Sequence, residues 1–303
     1  AYKNAEVLPD CLASVKEAGG QPFVWDNASV DGTTDLLFRM ITEEEGPEPW
    51  LRFHRSEDNL GYTAGVNRGL EWALAERPEA AWFVLLNSDT VLYPDCLAAL
   101  ARCLEEQPRA GIVGCRIRDL ARPEEIVHAG IGLAPTGLPI GGRSWLELRP
   151  GLWALEKVQA ALGWDLHRIG VGNDFPRRER VPGVTFACVG IRRAAWEAVG
   201  PLDERYFLNC SDMEWCEACT AAGWEVWYTP EVMVQHRHGA STRQVRPKAT
   251  WESHRGLVEY YRKHYGDQLG GIGLALSALA IYTVGAFRAG WDWLAGLVRF
   301  GKE

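Results

Sequence analysis

The segment AAWFVLLNSDTVLYPD, residues 80–95, ends a near-continuous apolar run in Asn87-Ser88-Asp89. Trp82 to Leu86 read as a strand buried on both faces, as in a parallel sheet. A carboxylate at the tip of such a strand is costly to desolvate unless it is paired, bound to a metal or open to a cleft. Asp89 suits a hard divalent cation, because such ions take oxygen ligands and bind through one or two carboxylates plus substrate phosphates. His236, in VQHRHGAS, closes another short apolar run and could add a nitrogen ligand, which fits Mn2+ as well as Mg2+. Its neighbour His238 offers the same chemistry. LNCSDMEWCEA places Asp212 and Glu214 at a helix start, where the helix dipole alone accounts for acidic residues. A rigidly held Asp212 could equally serve as a general base.

Weaker signals surround these. Asp26 and Asn27 end the strand-like FVWDN, and Asp26 can hydrogen-bond a base edge or cap the helix that follows. Asn59, Gly61 and Asn67, in NLGYTAGVNRG, let backbone approach a flat ligand or simply form a turn and cap. Arg237, Arg243, Arg246, Lys248, Arg255, Arg262 and Lys263 face only Glu252 and Glu259 over the same stretch. That cationic excess can offset a diphosphate leaving group, line a solvated helix face or meet anionic lipid.

The elements that must position these residues follow from pattern. Apolar positions at Val7, Leu8, Leu12 and Val15 have helical spacing, QPFVWDNAS is a short strand, and VDGTTDLLFRMI opens a helix with Asp and Thr available as caps. LRFHRS is another strand, NLGYTAGVNRGLEWALAE a Gly-rich turn entering a helix, YPDCLAALARCLEEQP a helix and AGIVGCRI a strand. This alternation over 1–118 predicts a Rossmann-like α/β half with a mainly parallel sheet. Residues 119–265 form the second half, with an irregular insertion at 119–180, then the strand and helix of VTFACVGIRRAAWEAVG and a helix from about Trp251 to His264. The opening AYKNAEVLPDCLASV reads as following a first strand upstream of this numbering. Residues 269–287 carry no charge, and Trp291, Trp293 and Arg299 follow them. The stretch 266–303 is therefore expected to be an apolar helical tail lying on or partly in a membrane, against the alternative of a helical hairpin packed on the body.

Composition bounds the function. The 303 residues are 47% hydrophobic and 24% charged, with a net charge of −8, so the whole protein is not a nucleic-acid binder. An anionic substrate must be held by local cations or a metal. Eight scattered cysteines imply reduced thiols in a cytoplasmic compartment. Cys216 and Cys219 fall in a helical pattern without the turn of a zinc site.

Six segments in order, AYKNAEVLPDCLASV, WDNASVDGT, NLGYTAGVNRGL, LLNSDT, GPLDERYFLNCSDMEWCEACTAAGWEVWY and VQHRHGAS, resemble the family 2 inverting glycosyltransferases of GT-A fold, in particular bacterial rhamnosyltransferase-like members. The resemblance implies a Rossmann-like GT-A nucleotide-diphospho-sugar transferase fold. It implies that Asp26 contacts the nucleotide base, with Tyr2, Asn27, Asn59, Gly61 and Asn67 shaping the pocket. Asn87-Ser88-Asp89 stands at the family's DxD position, with Asn87 and Ser88 beside the nucleotide and Asp89 as metal ligand for Mg2+ or Mn2+. Asp212 stands where the family has its base, and His236 where a late His reaches metal or diphosphate. The chain departs from the pattern at Asn87, which replaces the first Asp of DxD, and at Ser211, which replaces the Glu of an ED pair. The implied reaction moves a sugar from dTDP-rhamnose or a UDP-sugar to a glycan or lipid-linked acceptor with inversion. It would take place in the cytoplasm, with 269–299 as a peripheral contact at the inner face of the cell membrane. A non-catalytic nucleotide- or sugar-binding protein is the alternative. A sugar nucleotidyltransferase is a weaker one, since AYKNAEVLP has no Gly-rich phosphate loop.

Overall fold

The computed structural model describes residues 1–43, 49–128, 132–133, 139–140, 176–237 and 246–300. Most of the expected insertion at 119–180 lies outside these residues, as does His238. Helix α1, Leu8–Glu17, starts at Pro9 in its first turn and buries Leu8, Cys11, Leu12 and Val15, the stripe its spacing predicts. Strand β1 (Phe23–Asp26), helix α2 (Thr33–Thr42) and strand β2 (Arg52–Arg55) follow. Leu8, Leu12, Val24, Leu37 and Leu51 lock these elements into one cluster.

Helix α3 (Gly61–Glu76) leads into β3 (Trp82–Leu86), the Asn87–Asp89 turn and β4 (Thr90–Leu92). Next come α4 (Cys96–Glu106), β5 (Ala110–Asp119), β6 (Cys188–Arg192), α5 (Arg193–Val199), α6 (Ser211–Ala221) and β7 (Glu225–His236). The central sheet runs β3-β6-β5-β7-β4, with Ile126–His128 beside β5 and Glu179–Arg180 beside β7. Side chains alternate across it. Leu100, Cys103 and Leu104 of α4 cover one face with Val113 and Cys115, while Leu70, Trp196, Trp215 and Cys219 cover the other with Ile112 and Ile191.

The expectation of a mainly parallel sheet needs correction. Among the described strands, β5–β7 and the separate β1–β2 pair are parallel, whereas β6 runs antiparallel to both β3 and β5, and β4 antiparallel to β7. The tight turn after β3 sends β4 back at once, and β6 enters between β3 and β5 from the far side of the 120–187 excursion. Strands of the expected second half, β6 and β7, thus lie inside the same sheet as those of the first.

Ala1 sits beside β1 in a parallel bridge. Its backbone nitrogen donates to the Trp25 carbonyl at 2.6 Å, and its carbonyl accepts from Asn27 N–H at 2.8 Å. Between β1 and β3 lies a cavity of about 1060 Å³, lined in its depth by Leu12, Val24, Leu70, Val84 and Leu86. Its other end opens at the tips of the strands.

The C-terminal part differs from a simple tail. Helix α7 (Arg246–Phe300) breaks at Gly270, whose φ of 63° and ψ of 176° are non-helical. The second arm folds back on the first, with Trp251 stacked on Tyr282 at 5.2 Å and Gly285 against His254. The first arm packs on the body through Tyr260, beside Tyr206 and Met213.

Close packing at the sheet centre is testable at Gly114. A Cβ there would lie 2.4 Å from Val184 Cγ1. Gly114→Ala is expected to destabilise the protein by roughly 1–3 kcal/mol through overpacking. A lowered urea midpoint at unchanged m-value is the readout; an unchanged midpoint would contradict the packing described.

Candidate active site

The β7–β4 register places His236 opposite Thr90, one residue from Asp89. His236 Nε2 and Asp89 Oδ1 lie 2.9 Å apart, with both side chains almost wholly buried. Asn87 Nδ2 approaches the same imidazole nitrogen at 3.4 Å. The Asp89 carbonyl accepts from Arg237 N–H at 2.9 Å, so the turn is tied to β7 through backbone as well. Ser88 Oγ donates to Asn4 Oδ1 at 3.1 Å. Asn4, in the turn before α1, also receives Tyr2 N–H on that oxygen at 2.9 Å. Its fixing of the Ser88 hydroxyl was not legible in YKNAE, where Asn reads as a plain turn residue.

Asp89 and His236 supply one carboxylate oxygen and one imidazole nitrogen, and Asn87 adds an amide. Among the described residues no three His, Cys, Asp or Glu side chains gather as a complete metal cage. One or two protein ligands with open remaining positions is how Mg2+ and Mn2+ are held beside phosphates, so the donor set fits such an ion. It does not fit a closed structural zinc site.

Asp212 lies in the first turn of α6, and its Oδ1 accepts from Met213 N–H at 2.9 Å. Desolvation by burial pushes its pKa up to about 6, against the lowering effect of backbone N–H groups including that of Phe186. It is therefore mostly ionised at neutral pH yet close enough to neutrality to accept a proton readily. Asp212, Asp89, His236, Asn87 and Ser88 all line the mouth of the large cavity between β1 and β3. Tyr62, in α3, stands among them. Burial first, and then the charges of Asp212 and Asp89, hold its phenol well above the ordinary value. Nothing in NLGYTAGVNRG singles out Tyr62; Lys248, one of the basic residues of the 237–263 stretch, lines the same mouth, 5.3 Å from the Phe207 ring.

The expected base pocket divides into lining and scaffold. Tyr2, Asn27, Asn59 and Gly61 line the cavity. Asn27 Nδ2 donates to Asn59 Oδ1 at 3.0 Å and the Gly61 carbonyl at 2.7 Å, while its Oδ1 accepts from Leu60 N–H. Gly61 has φ 86° and a Cβ there would meet Phe207 at 2.6 Å, so only glycine fits. Asp26 and Asn67 are absent from the lining. The Asp26 carboxylate is wholly buried and accepts from Ser29 N–H at 3.2 Å and Thr34 Oγ1 at 2.6 Å, closing the β1–α2 loop. Asn67 binds both backbone groups of Leu202, at 2.8 and 2.9 Å, and so joins α3 to the segment that leads to α6.

The elevated Asp212 pKa has a stability consequence. A carboxyl raised in the fold disfavours folding once ionised, so its destabilising effect is full above about pH 6 and vanishes below the unfolded value near 4. Asp212→Asn is expected to raise Tm at pH 7.5 and to lose that advantage at about pH 4. An equal effect at both pH values would contradict the desolvation described.

The Glycosyl transferase family 2 model matches residues 1–200. The chain is 29% identical over 254 residues to an N-acetylglucosaminyl-diphospho-decaprenol L-rhamnosyltransferase of Mycobacterium tuberculosis, covering 80% of this chain and 75% of that protein. In fold it is similar to the mannosyltransferase PcManGT of Pyrobaculum calidifontis, solved with GDP-Man and Mn2+, at TM-score 0.54 and 16% identity over 98% of this chain and 73% of that one. It is also similar to GalNAc-T7, solved with UDP, GalNAc and Mn2+, at TM-score 0.52 and 13% identity over 76% of this chain and 40% of that one. With its mixed α/β sheet of GT-A type and its strand-tip cluster, the chain belongs to glycosyl transferase family 2.

Proposed function

We propose that this glycosyltransferase moves a sugar, L-rhamnose in the first instance, from a nucleoside-diphosphate donor to a hydroxyl of a lipid-linked glycan, inverting the anomeric carbon. The observation that carries the reading is the placement of the Asp89–His236 pair and the raised-pKa Asp212 on one cavity mouth. Support for the sugar and acceptor class comes from the mycobacterial rhamnosyltransferase relative, whose name specifies a decaprenol-linked substrate. The base would lie in the part of the cavity lined by Tyr2, Asn27 and Asn59.

Asp89 and His236 would hold a divalent cation, with Asn87 beside them. Such an ion, when bound, neutralises the charge developing on a diphosphate. Lys248 at the mouth supplies a further positive charge. Asp212 accepts the acceptor hydroxyl proton as the hydroxyl oxygen bonds to the anomeric carbon. The bond from that carbon to the diphosphate oxygen breaks on the opposite face, and the bonding electrons leave with the diphosphate. A single displacement without a covalent intermediate inverts the configuration. The transition state is oxocarbenium-like, by analogy with glycoside hydrolysis.

Two measurements test this reading. A ligand that binds only the folded state raises Tm. dTDP with Mn2+ is expected to stabilise the protein, and Asp89→Ala to abolish the metal-dependent part of the shift. If no nucleoside diphosphate shifts Tm in folded protein, the nucleotide-sugar reading fails. Asp212→Asn is expected to lower kcat by about 10²–10⁴-fold with nucleotide binding intact, and the wild-type rate to fall on the acid side with an apparent pKa near 6. Unchanged turnover in that variant would remove Asp212 from the base role and favour a different proton acceptor.

A further inference from the structure

The folded-back second arm of α7 presents a face that no element covers among the described residues. Ile272, Leu276, Leu279, Val284 and Phe287 are 80, 62, 64, 50 and 75% exposed. Their spacing puts them along one side of the helix. The opposite side, with Leu274, Ala278 and Gly285, packs on Val258, Tyr261 and His254 of the first arm. A helix on a protein surface ordinarily turns polar residues outward. This one is apolar on both sides, and Leu269–Phe287 contains no charged residue.

We infer that this outer face is a docking surface for a lipid bilayer, with the arm lying in the plane of the interface and the cavity mouth held close to it.

Three observations choose this occupant and pose. The first arm cannot accompany the second across a membrane, because Lys263 is ion-paired to Glu214 and Asp203 of the body and His264 to Glu217. The 19 residues from Leu269 to Phe287 span roughly 28 Å at 1.5 Å per residue. That falls just short of a hydrocarbon core of about 30 Å, and the run is broken at Gly270. The face also lacks groups that would specify a protein partner. Its hydroxyl, Thr283 Oγ1, donates to the Leu279 carbonyl of its own helix at 2.7 Å. Protein interfaces place aromatic and Arg anchors among paired polar groups, whereas fluid hydrocarbon asks only for apolar area. The sequence continues with Arg288, Trp291, Trp293 and Arg299, the residue types of a membrane–water boundary.

The surface is linked to the site. Lys248, Ala249 and Glu252, at the start of the first arm, line the cavity mouth. Docking of the second arm would therefore bring that mouth towards the headgroup layer. That this presents a lipid-linked acceptor rests on the function proposed above.

The test is co-sedimentation of the full chain with phosphatidylcholine–phosphatidylglycerol vesicles, alongside the combined variant Ile272→Ser, Leu279→Ser, Phe287→Ser. Wild type is expected to pellet with vesicles and to remain bound in about 0.5 M NaCl, since apolar insertion is not screened. The variant is expected to partition at least about tenfold less while keeping its nucleotide-induced Tm shift. Wild type left in the supernatant, or a variant that pellets equally, overturns the inference. So does a concentration-dependent dimer dispersed by the three substitutions without vesicle binding, which assigns the face to a second copy. Vesicle binding without any nucleotide shift supports the surface while removing the proposed function. A nucleotide shift without vesicle binding removes the surface alone.

Discussion

The meeting of Asp89 and His236 is the constraint on which the site's architecture depends. Both side chains are about nine-tenths withdrawn from water, and each would be costly to bury without the other or a cation. To meet, the turn after β3 must reverse the chain within three residues, and β7 must reach the sheet edge in one particular register. A bulge between Thr229 and Met233 sets that register, since it shifts β7 against β5 before the strand arrives at His236. A slip by one residue would turn His236 to the other face of the sheet. The mixed strand directions are part of the same arrangement. Only a strand running back from β3 can pair antiparallel with the end of β7 and bring the two groups together.

Asparagine amides extend this order from the strand tips to the loops. Asn4 fixes Ser88, Asn27 closes the Asn59–Gly61 turn, and Asn67 takes both backbone groups of Leu202. Asn27 and Asn67 each use an amide that both donates and accepts, while Asn4 gathers Tyr2 N–H and the Ser88 hydroxyl on its one Oδ1. Asp26 does similar work at the β1–α2 loop. Its carboxylate accepts from Ser29 N–H and Thr34 Oγ1 and lies 3.8 Å from the Arg55 guanidinium, whereas Tyr2, Asn27 and Asn59 line the cavity.

Periodicity made most elements legible. The stripes of α1 and α4 are simple 3.6-residue patterns and β3 a continuous apolar run, and the strand tips that carry Asp26, Asp89 and His236 followed from such patterns. Strand direction did not, because a local pattern is the same for a strand running either way, and the segment that reverses β6 has no clear period. Roles within NLGYTAGVNRG were also hidden. Gly61 is dictated by Phe207, Asn67 by Leu202, and Tyr62 faces Asp212 and Asp89, all partners more than twenty residues away. The break at Gly270 lies in a stretch with four glycines between 266 and 273, so composition showed a weak point without showing that the chain folds back there.

The placement of Asp212 depends on the C-terminal helix as much as on the sheet. Helix α6 begins at Cys210, which holds a φ of 74° unusual for a residue with a Cβ, and no side chain caps it. Its own terminus therefore does little to fix the first turn. The fixing comes from the side: Glu214 binds Lys263, which also holds Asp203 at 3.1 Å, and Glu217 binds Tyr260 and His264. Met213 packs on Tyr206 and Tyr260 between them. Glu214 is buried, so loss of Lys263 would leave a desolvated carboxylate; with Lys263 a third exposed, the effect is on the order of 1–3 kcal/mol, below that of a wholly buried pair. The first arm of α7 thus orients the proposed base on one side and carries the uncovered apolar arm on the other. In the proposed reaction, that arm would set both where the acceptor's proton is taken and which face of the molecule is turned towards the acceptor's source.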